Sequence, residues 1–102
     1  MVVHLSPEEV LAKMEMNPDL ILLDVRTPEE FYRRRIPTAI NIPLDELYHR
    51  YGELDPEQEI VALCEHGIRS LSASGMLVQL GFTKVFNMTG GMSRWLHRTI
   101  SG

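Results

Sequence analysis

The sequence has little cysteine, no long apolar run and no excess of positive charge. One cysteine in 102 residues excludes an internal disulfide, and a single free thiol is typical of a reducing compartment. Apolar stretches such as Leu20–Leu23 are far shorter than the roughly 20 residues that span a bilayer. The start, Met1–His4, lacks the basic-then-apolar layout of a signal peptide. We therefore predict a cytoplasmic protein that does not act at a membrane.

The charge balance argues against nucleic-acid binding. The net charge is −4, from 10 basic and 14 acidic residues, and no basic arm is present. The one basic cluster, Arg33-Arg34-Arg35, is interpreted as a solvated helix end, with local steering of an anionic substrate as the alternative. The histidines are scattered without a ligand pair at useful spacing, so we predict no metal and no cofactor. They are His4, His49, His66 and His97.

Strand-like and helix-like runs alternate along the chain. The predicted strands are Val2–Leu5, Leu20–Asp24, Ala39–Ile42, Glu59–Leu63 and Lys84–Asn87. Helices are predicted from the capping boxes at Ser6 and Thr27, and from apolar spacing over Leu44–Tyr51, Ala73–Leu80 and Met92–Leu96. Strands separated by helices of this size indicate an α/β fold, a five-stranded parallel sheet with helices on both faces. Residues 1–102 are predicted to form a single domain.

One glycine and one tryptophan allow predictions about packing. Gly75 lies inside a predicted helix, which indicates close approach of a neighbouring element. Trp95 is predicted to pack in the core or at its rim.

Cys64 follows the apolar run Ile60–Leu63 and directly precedes a predicted helix. Binding sites in open parallel sheets form at the carboxyl ends of the strands. A thiol there faces a helix amino terminus, where the helix dipole and converging amide groups stabilise a thiolate. The alternative is a small buried hydrophobic residue. The strand-to-helix position favours a reactive thiol.

The residues after Cys64 suit the binding of an anion. Arg69 presents a planar fork that matches two oxygens of an oxyanion; its alternative role is an exposed helix start. His66 is a candidate base, but in so tight a loop it is expected to point away from the sulfur. Ser70 is interpreted as a cap or a hydrogen-bond partner of the loop.

A second polar segment, Asp24-Val25-Arg26, ends another predicted strand on the same sheet edge. Asp24 is interpreted as an acceptor for nearby backbone amides, which would stiffen the floor of the pocket. Arg26 is either its ion-pair partner or a second contact for the anion, and we favour the structural role.

These segments together resemble the rhodanese family over nearly the whole chain. Residues 22–31 resemble its first signature, and residues 36–43 resemble the segment that follows. The loop matches at Cys64, Gly67 and Arg69, and Gly90-Gly91 followed by Trp95 fits the closing element. The chain departs from the family at Arg34-Arg35, where glycine-histidine is frequent, and at Thr38, where glycine is common; both affect substrate preference rather than the reaction class.

The resemblance implies a sulfurtransferase. Cys64 would take sulfur from thiosulfate or a similar small anionic donor, and its persulfide would pass the sulfur to cyanide or an external thiol. The resemblance also implies that backbone amides of Glu65, His66, Gly67, Ile68 and Arg69 hold the persulfide, while the Arg69 side chain neutralises the oxygens of the donor; Ser70 follows the matching loop residues.

Three other functions stay open at this point. A partner protein that carries a persulfide could load the chain, which would then act as a relay. A cysteine phosphatase or arsenate reductase is a weaker alternative, because four residues separate Cys64 from Arg69 and phosphatases of this kind place five there. A noncatalytic binding module is the third, and the intact loop argues against it.

Overall fold

Five short strands alternate with four α-helices in the computed structural model, which describes residues 1–102. The strands are β1 (Val2–Leu5), β2 (Ile21–Asp24), β3 (Ile40–Asn41), β4 (Ile60–Leu63) and β5 (Val85–Met88). The α-helices are α1 (Pro7–Met16), α2 (Pro28–Arg33), α3 (Leu47–Arg50) and α4 (Ile68–Gln79). Short 3-10 turns occupy Leu44–Glu46, Tyr51–Glu53 and Gly91–Arg94.

All five strands are parallel, in the order β1-β5-β4-β2-β3. This confirms the predicted fold class. Asp24 at the end of β2 lies opposite Leu63 at the end of β4. Because parallel strands end at the same sheet edge, Asp24 and Cys64 are brought together there.

The sheet is covered on both faces, because side chains alternate along the central strand β4. Ile60 and Ala62 belong to one core cluster, and Val61 and Leu63 belong to the other. The first cluster packs under α3 and α4 and contains Leu23, Val25, Ile42, Leu47, Leu54, Ile60, Ala62, Cys64, Ala73, Leu77, Phe82 and Val85. The second packs under α1 and the closing segment and contains Val10, Leu22, Ile36, Val61, Leu63, Met88, Met92 and Trp95. Core burial of Trp95 is thereby confirmed.

Both predicted capping boxes are present. Ser6 caps α1 with Glu9, and Thr27 caps α2 with Glu30. In each box the cap side chain accepts from the backbone amide three residues on, and the glutamate accepts from the cap amide. The second box matters for function, because it fixes the position of the Glu30 carboxylate.

The prediction of one continuous α-helix over Leu44–Tyr51 is wrong, because only α3 within this segment is α-helical. The segment tightens into 3-10 turns on both sides of α3, which changes the period from 3.6 residues to 3. As a result Leu47 is buried, whereas Tyr48, one position on, faces solvent.

The predicted closing helix over Met92–Leu96 is also wrong. A 3-10 turn ends at Arg94, Trp95 is extended, and the side chain of Leu96 is 84% exposed. The first amides of the turn bond outside the segment: Met92 donates to the Cys64 carbonyl and Ser93 to the Glu65 carbonyl.

Two further interpretations are corrected. A Cβ added at Gly75 would meet nothing within 4 Å, so no element approaches there. In the arginine triplet, Arg34 donates to the carbonyls of Met92 and Trp95, and Arg35 donates to the Gly102 carbonyl. Arg33 and Arg34 are both exposed, so the interpretation as a solvated helix end is corrected only in that Arg34 and Arg35 also bond to backbone carbonyls.

None of the helices is both long and apolar enough to cross a lipid bilayer. The cytoplasmic location stays a prediction.

Candidate active site

Cys64 lies between the last residue of β4 and the loop that leads into α4. Gly67 ends this loop with φ 96° and precedes the first residue of α4. The chain thereby turns back over the sulfur: the Gly67 amide donates to Sγ at 3.1 Å and the Ser70 amide donates at 3.3 Å. The sulfur therefore lies in a partial ring of backbone amides. The ring reaches Ser70, one residue beyond the span implied by the resemblance.

The thiol is both buried and stabilised as an anion. Cys64 is only 1% exposed, and this burial raises the pKa of its thiol. Hydrogen bonding with the Ser70 hydroxyl group and with the amides of Ser70, Gly67 and His66 outweighs the burial, so the net pKa of the thiol lies below its ordinary value. Although Cys64 belongs to the core cluster under α4, its sulfur is therefore not a purely apolar group.

A polar pair beneath the sulfur was missed by sequence reasoning. The Ser70 hydroxyl lies 3.4 Å from Sγ and donates to Asn87 Oδ1 at 2.6 Å. Asn87 is 3% exposed, and its Nδ2 lies 3.4 Å from His4 Nδ1. An asparagine inside the apolar run of β5 was the available signal, since a buried amide needs partners.

The second predicted segment forms a buried ion pair next to the loop. Arg26 donates to Asp24 from Nε at 3.0 and 3.1 Å and from Nη2 at 2.7 Å, and its own amide also donates to Asp24. Arg26 reaches the loop as well, through Glu65 at 3.2 Å. Burial lowers the pKa of Arg26, but the adjacent carboxylates raise it more. The pair therefore ties the end of β2 to the residue that follows Cys64.

Arg69 does not extend freely into solvent. Its Nη1 and Nη2 donate to the two carboxylate oxygens of Glu30 at 2.7 and 2.9 Å. This contact lowers the pKa of Glu30 to about 2 and raises the pKa of Arg69. Glu30 was not singled out as a site residue from the sequence, where it was assigned only to a capping box.

The remaining loop residues face outward. His66 is exposed and its ring makes no hydrogen bond or ion pair in the structure. Ile68 is 76% exposed, and Leu71, one turn along α4, is also exposed. An apolar surface thus adjoins the loop at the start of α4.

The arrangement can stabilise a thiolate at Cys64. The first amides of α4 have no partner within the helix, and they start where the loop ends. No group of three or more His, Cys, Asp or Glu side chains is placed to hold a metal ion. The chemistry that these residues offer is nucleophilic attack by sulfur.

The family assignment rests on a match that covers most of the chain. Residues 6–98 match the family model described as Rhodanese-like domain. The chain belongs to the rhodanese family.

Relatives and a solved structure agree with this assignment. A sulfurtransferase from Allochromatium vinosum is 32% identical over 93% of this chain and 89% of its own length. Thiosulfate sulfurtransferase GlpE from Shewanella oneidensis is 33% identical over 90% of each chain. A rhodanese-related protein from Thermoplasma volcanium superposes with a TM-score of 0.89 at 26% identity, covering 98% of this chain and 99% of that one. Sulfur transfer is the activity class of the named homologues.

Proposed function

We propose that this protein is a sulfurtransferase that moves sulfane sulfur from thiosulfate, or a similar donor, to cyanide or a thiol through a persulfide on Cys64. The observation that carries the proposal is the pair of amide hydrogen bonds from Gly67 and Ser70 to Sγ. These contacts favour the thiolate, which is the nucleophilic form of cysteine.

In the first half-reaction the Cys64 thiolate attacks the outer sulfur of thiosulfate. A bond forms between Sγ and that sulfur, the S–S bond of thiosulfate breaks, and its electron pair leaves with sulfite. In the second half-reaction a thiolate or cyanide attacks the outer sulfur of the persulfide. The Sγ–S bond then breaks, and its electron pair returns to Cys64 as thiolate.

The loop amides supply stabilisation that does not require a separate base. An anion next to preorganised amides in a largely dry site is stabilised more than it would be in water. In the persulfide, the first amides of α4, which have no acceptor within the helix, would receive the negative charge of the outer sulfur. Cys64 is the only cysteine, so the sulfur acceptor comes from outside the chain.

The near-complete burial of Cys64 restricts which donors reach it. With the residue 1% exposed, an incoming sulfur contacts Sγ only when side chains of the loop move aside. The loop residues that reach the surface beside Cys64 include the exposed Ile68 and the partly exposed Arg69. A narrow entrance of this kind favours donors with a slender terminal sulfur over bulky electrophiles.

A persulfide relay loaded by another protein is the second candidate function. The observation that favours it is the exposed apolar surface of Ile68 and Leu71 beside the reactive loop. Exposed apolar side chains next to a reactive group mark a surface where a partner can dock. Faster loading from a protein persulfide than from any small donor would identify the relay.

The test compares the wild-type protein with Cys64→Ser. Sulfur transfer to a thiol or to cyanide is measured with thiosulfate and with a low-molecular-weight alkyl persulfide as donors. The proposal predicts activity that is lost in Cys64→Ser while the thermal unfolding temperature stays nearly unchanged. Activity retained in Cys64→Ser would exclude the thiol mechanism.

A further inference from the structure

The Glu30 carboxylate is held in place from two sides. Its Oε1 accepts from the Thr27 amide at 2.9 Å and from the Thr27 hydroxyl at 3.2 Å, as part of the capping box of α2. Both of its oxygens also accept from Arg69. Because the helix cap fixes the carboxylate, Glu30 cannot swing away without losing these bonds. Arg69 is therefore fixed by a rigid acceptor.

This pairing changes the charge that a donor meets at the sulfur. Arg26 is offset by Asp24 and Glu65, and Arg69 is offset by Glu30. A polar cavity of about 300 Å³ adjoins this region, lined by Arg26, Glu30, Arg33, Arg34 and Glu65.

Two other cations line that cavity but do not replace Arg69. The Arg34 guanidinium is directed to the carbonyls of Met92 and Trp95. Arg33 is exposed to solvent, where salt screens its charge. Among these arginines, Arg69 is the nearest to the loop in sequence. Its guanidinium is already bonded to a carboxylate, that of Glu30.

We propose that Glu30 is a specificity-determining residue: by occupying the fork of Arg69 it disfavours thiosulfate and directs the site toward alkyl persulfides as sulfur donors. This rests on the proposed function, since it concerns which donor loads Cys64. Thiosulfate is a dianion whose leaving group, sulfite, carries two negative charges. It is bound best by a guanidinium whose fork is free, and the fork of Arg69 is held by Glu30 instead.

An alkyl persulfide makes no such demand. The Cys64 thiolate attacks its outer sulfur, the Sγ–S bond forms, the S–S bond of the donor breaks, and the electron pair leaves on a thiolate with a single charge. The proton of the donor stays with the transferred sulfur. No oxyanion has to be bound in this step, so the occupied fork of Arg69 does not slow it.

The test is the rate of Cys64 persulfide formation in Glu30→Gln, measured at pH 7 with thiosulfate and with the persulfide of an uncharged alkyl thiol. Glutamine keeps an oxygen for the Thr27 box, so α2 is retained. We expect the rate with thiosulfate to rise by about fivefold, as the loss of one partly screened charge near a dianion predicts. The rate with the alkyl persulfide should change by less than about twofold, since the species that reacts is the protonated, uncharged form of that donor.

Glu29→Gln is the matched control, because Glu29 precedes Glu30 in the first turn of α2, is exposed and has no ion pair. It removes the same charge and should leave the ratio of the two rates unchanged. The double variant Glu30→Gln, Arg69→Ala should lose the gain with thiosulfate, because the gain comes from the released guanidinium. It also removes both charges, so it leaves no unpaired ion behind.

The outcomes separate this inference from the function on which it rests. Three results would overturn the role of Glu30. They are an unchanged ratio of the two rates in Glu30→Gln, an equal gain in rate with both donors, and the same gain with thiosulfate in Glu29→Gln. A gain that persists without Arg69 would do the same. If the wild-type protein formed no Cys64 persulfide with either donor, the proposed function itself would fail.

Discussion

Gly91 is the residue at which the fold and the reactive loop depend on each other most directly. A Cβ added there would lie 2.4 Å from the Cys64 carbonyl oxygen and 2.7 Å from the carbonyl of Glu65. The backbone of Gly91 also has φ +61°, in the left-handed region. Gly91→Ala therefore forces the closing turn away from the loop and strains the backbone at the same time.

The size of the effect follows from those two contributions. A left-handed conformation costs an L residue about 1–2 kcal/mol. Displacing the turn breaks the bonds from Met92 to Cys64 and from Ser93 to Glu65, at about 1 kcal/mol each. We expect Gly91→Ala to lower the free energy of unfolding by about 3–4 kcal/mol. Persulfide formation should slow as well, because the loop loses its support.

Gly81→Ala separates strain from displacement. Gly81 has φ +98°, but a Cβ there would meet nothing within 4 Å. Gly81→Ala should therefore lower the free energy of unfolding by only about 1–2 kcal/mol. It should keep the wild-type rate of persulfide formation. Urea unfolding gives both stabilities, and the rates are compared where each variant is folded. Equal destabilisation by the two substitutions would refute the reasoning about close approach at Gly91.

Four other predictions concern the thiol, the Glu30 pair and Gly75 in α4. Alkylation of Cys64 by a small haloacetamide should titrate with a pKa below that of an ordinary thiol; an unshifted pKa would contradict the activation by amides. A bulky maleimide should react far more slowly than the haloacetamide, relative to a free thiol, because Cys64 is buried; equal relative rates would show an open site. Because the pKa of Glu30 is lowered to about 2, its pairing stabilises the fold above its ordinary pKa of about 4.5 and is lost as the pH falls through about 2. Glu30→Gln should therefore be less stable by about 1 kcal/mol at pH 7, after discounting for solvent screening, and match the wild type near pH 2 in urea unfolding; a constant difference would exclude the pair as the cause. Gly75→Ala should raise the stability by about 0.5–1 kcal/mol; a loss would reveal a neighbour that the structure does not place there.

The sequence predicted the five strands well, because the signals that mark each strand are local. The apolar runs before Asp24 and Cys64 mark buried strands, and the capping boxes at Ser6 and Thr27 mark helix starts. Those boundaries are set by residues next to one another in the chain.

The errors occurred where distant residues determine the local structure. The segment after Gly91 is a short turn whose first amides bond to carbonyls of the Cys64 loop, far back in the chain. The pairing of Glu30 with Arg69 and of Asn87 with Ser70 likewise joins residues from different elements. A single sequence does not indicate such pairs, because only the order of the strands in the folded sheet brings these residues together.

Mass spectrometry of the intact protein and of the peptide that contains Cys64 tests the central claim most directly. After incubation with thiosulfate or with an alkyl persulfide, and removal of the donor, the account predicts the mass of one added sulfur atom on Cys64 and on no other residue. The account would be contradicted if neither donor modified Cys64 in folded protein whose thiol still reacts with a small alkylating reagent.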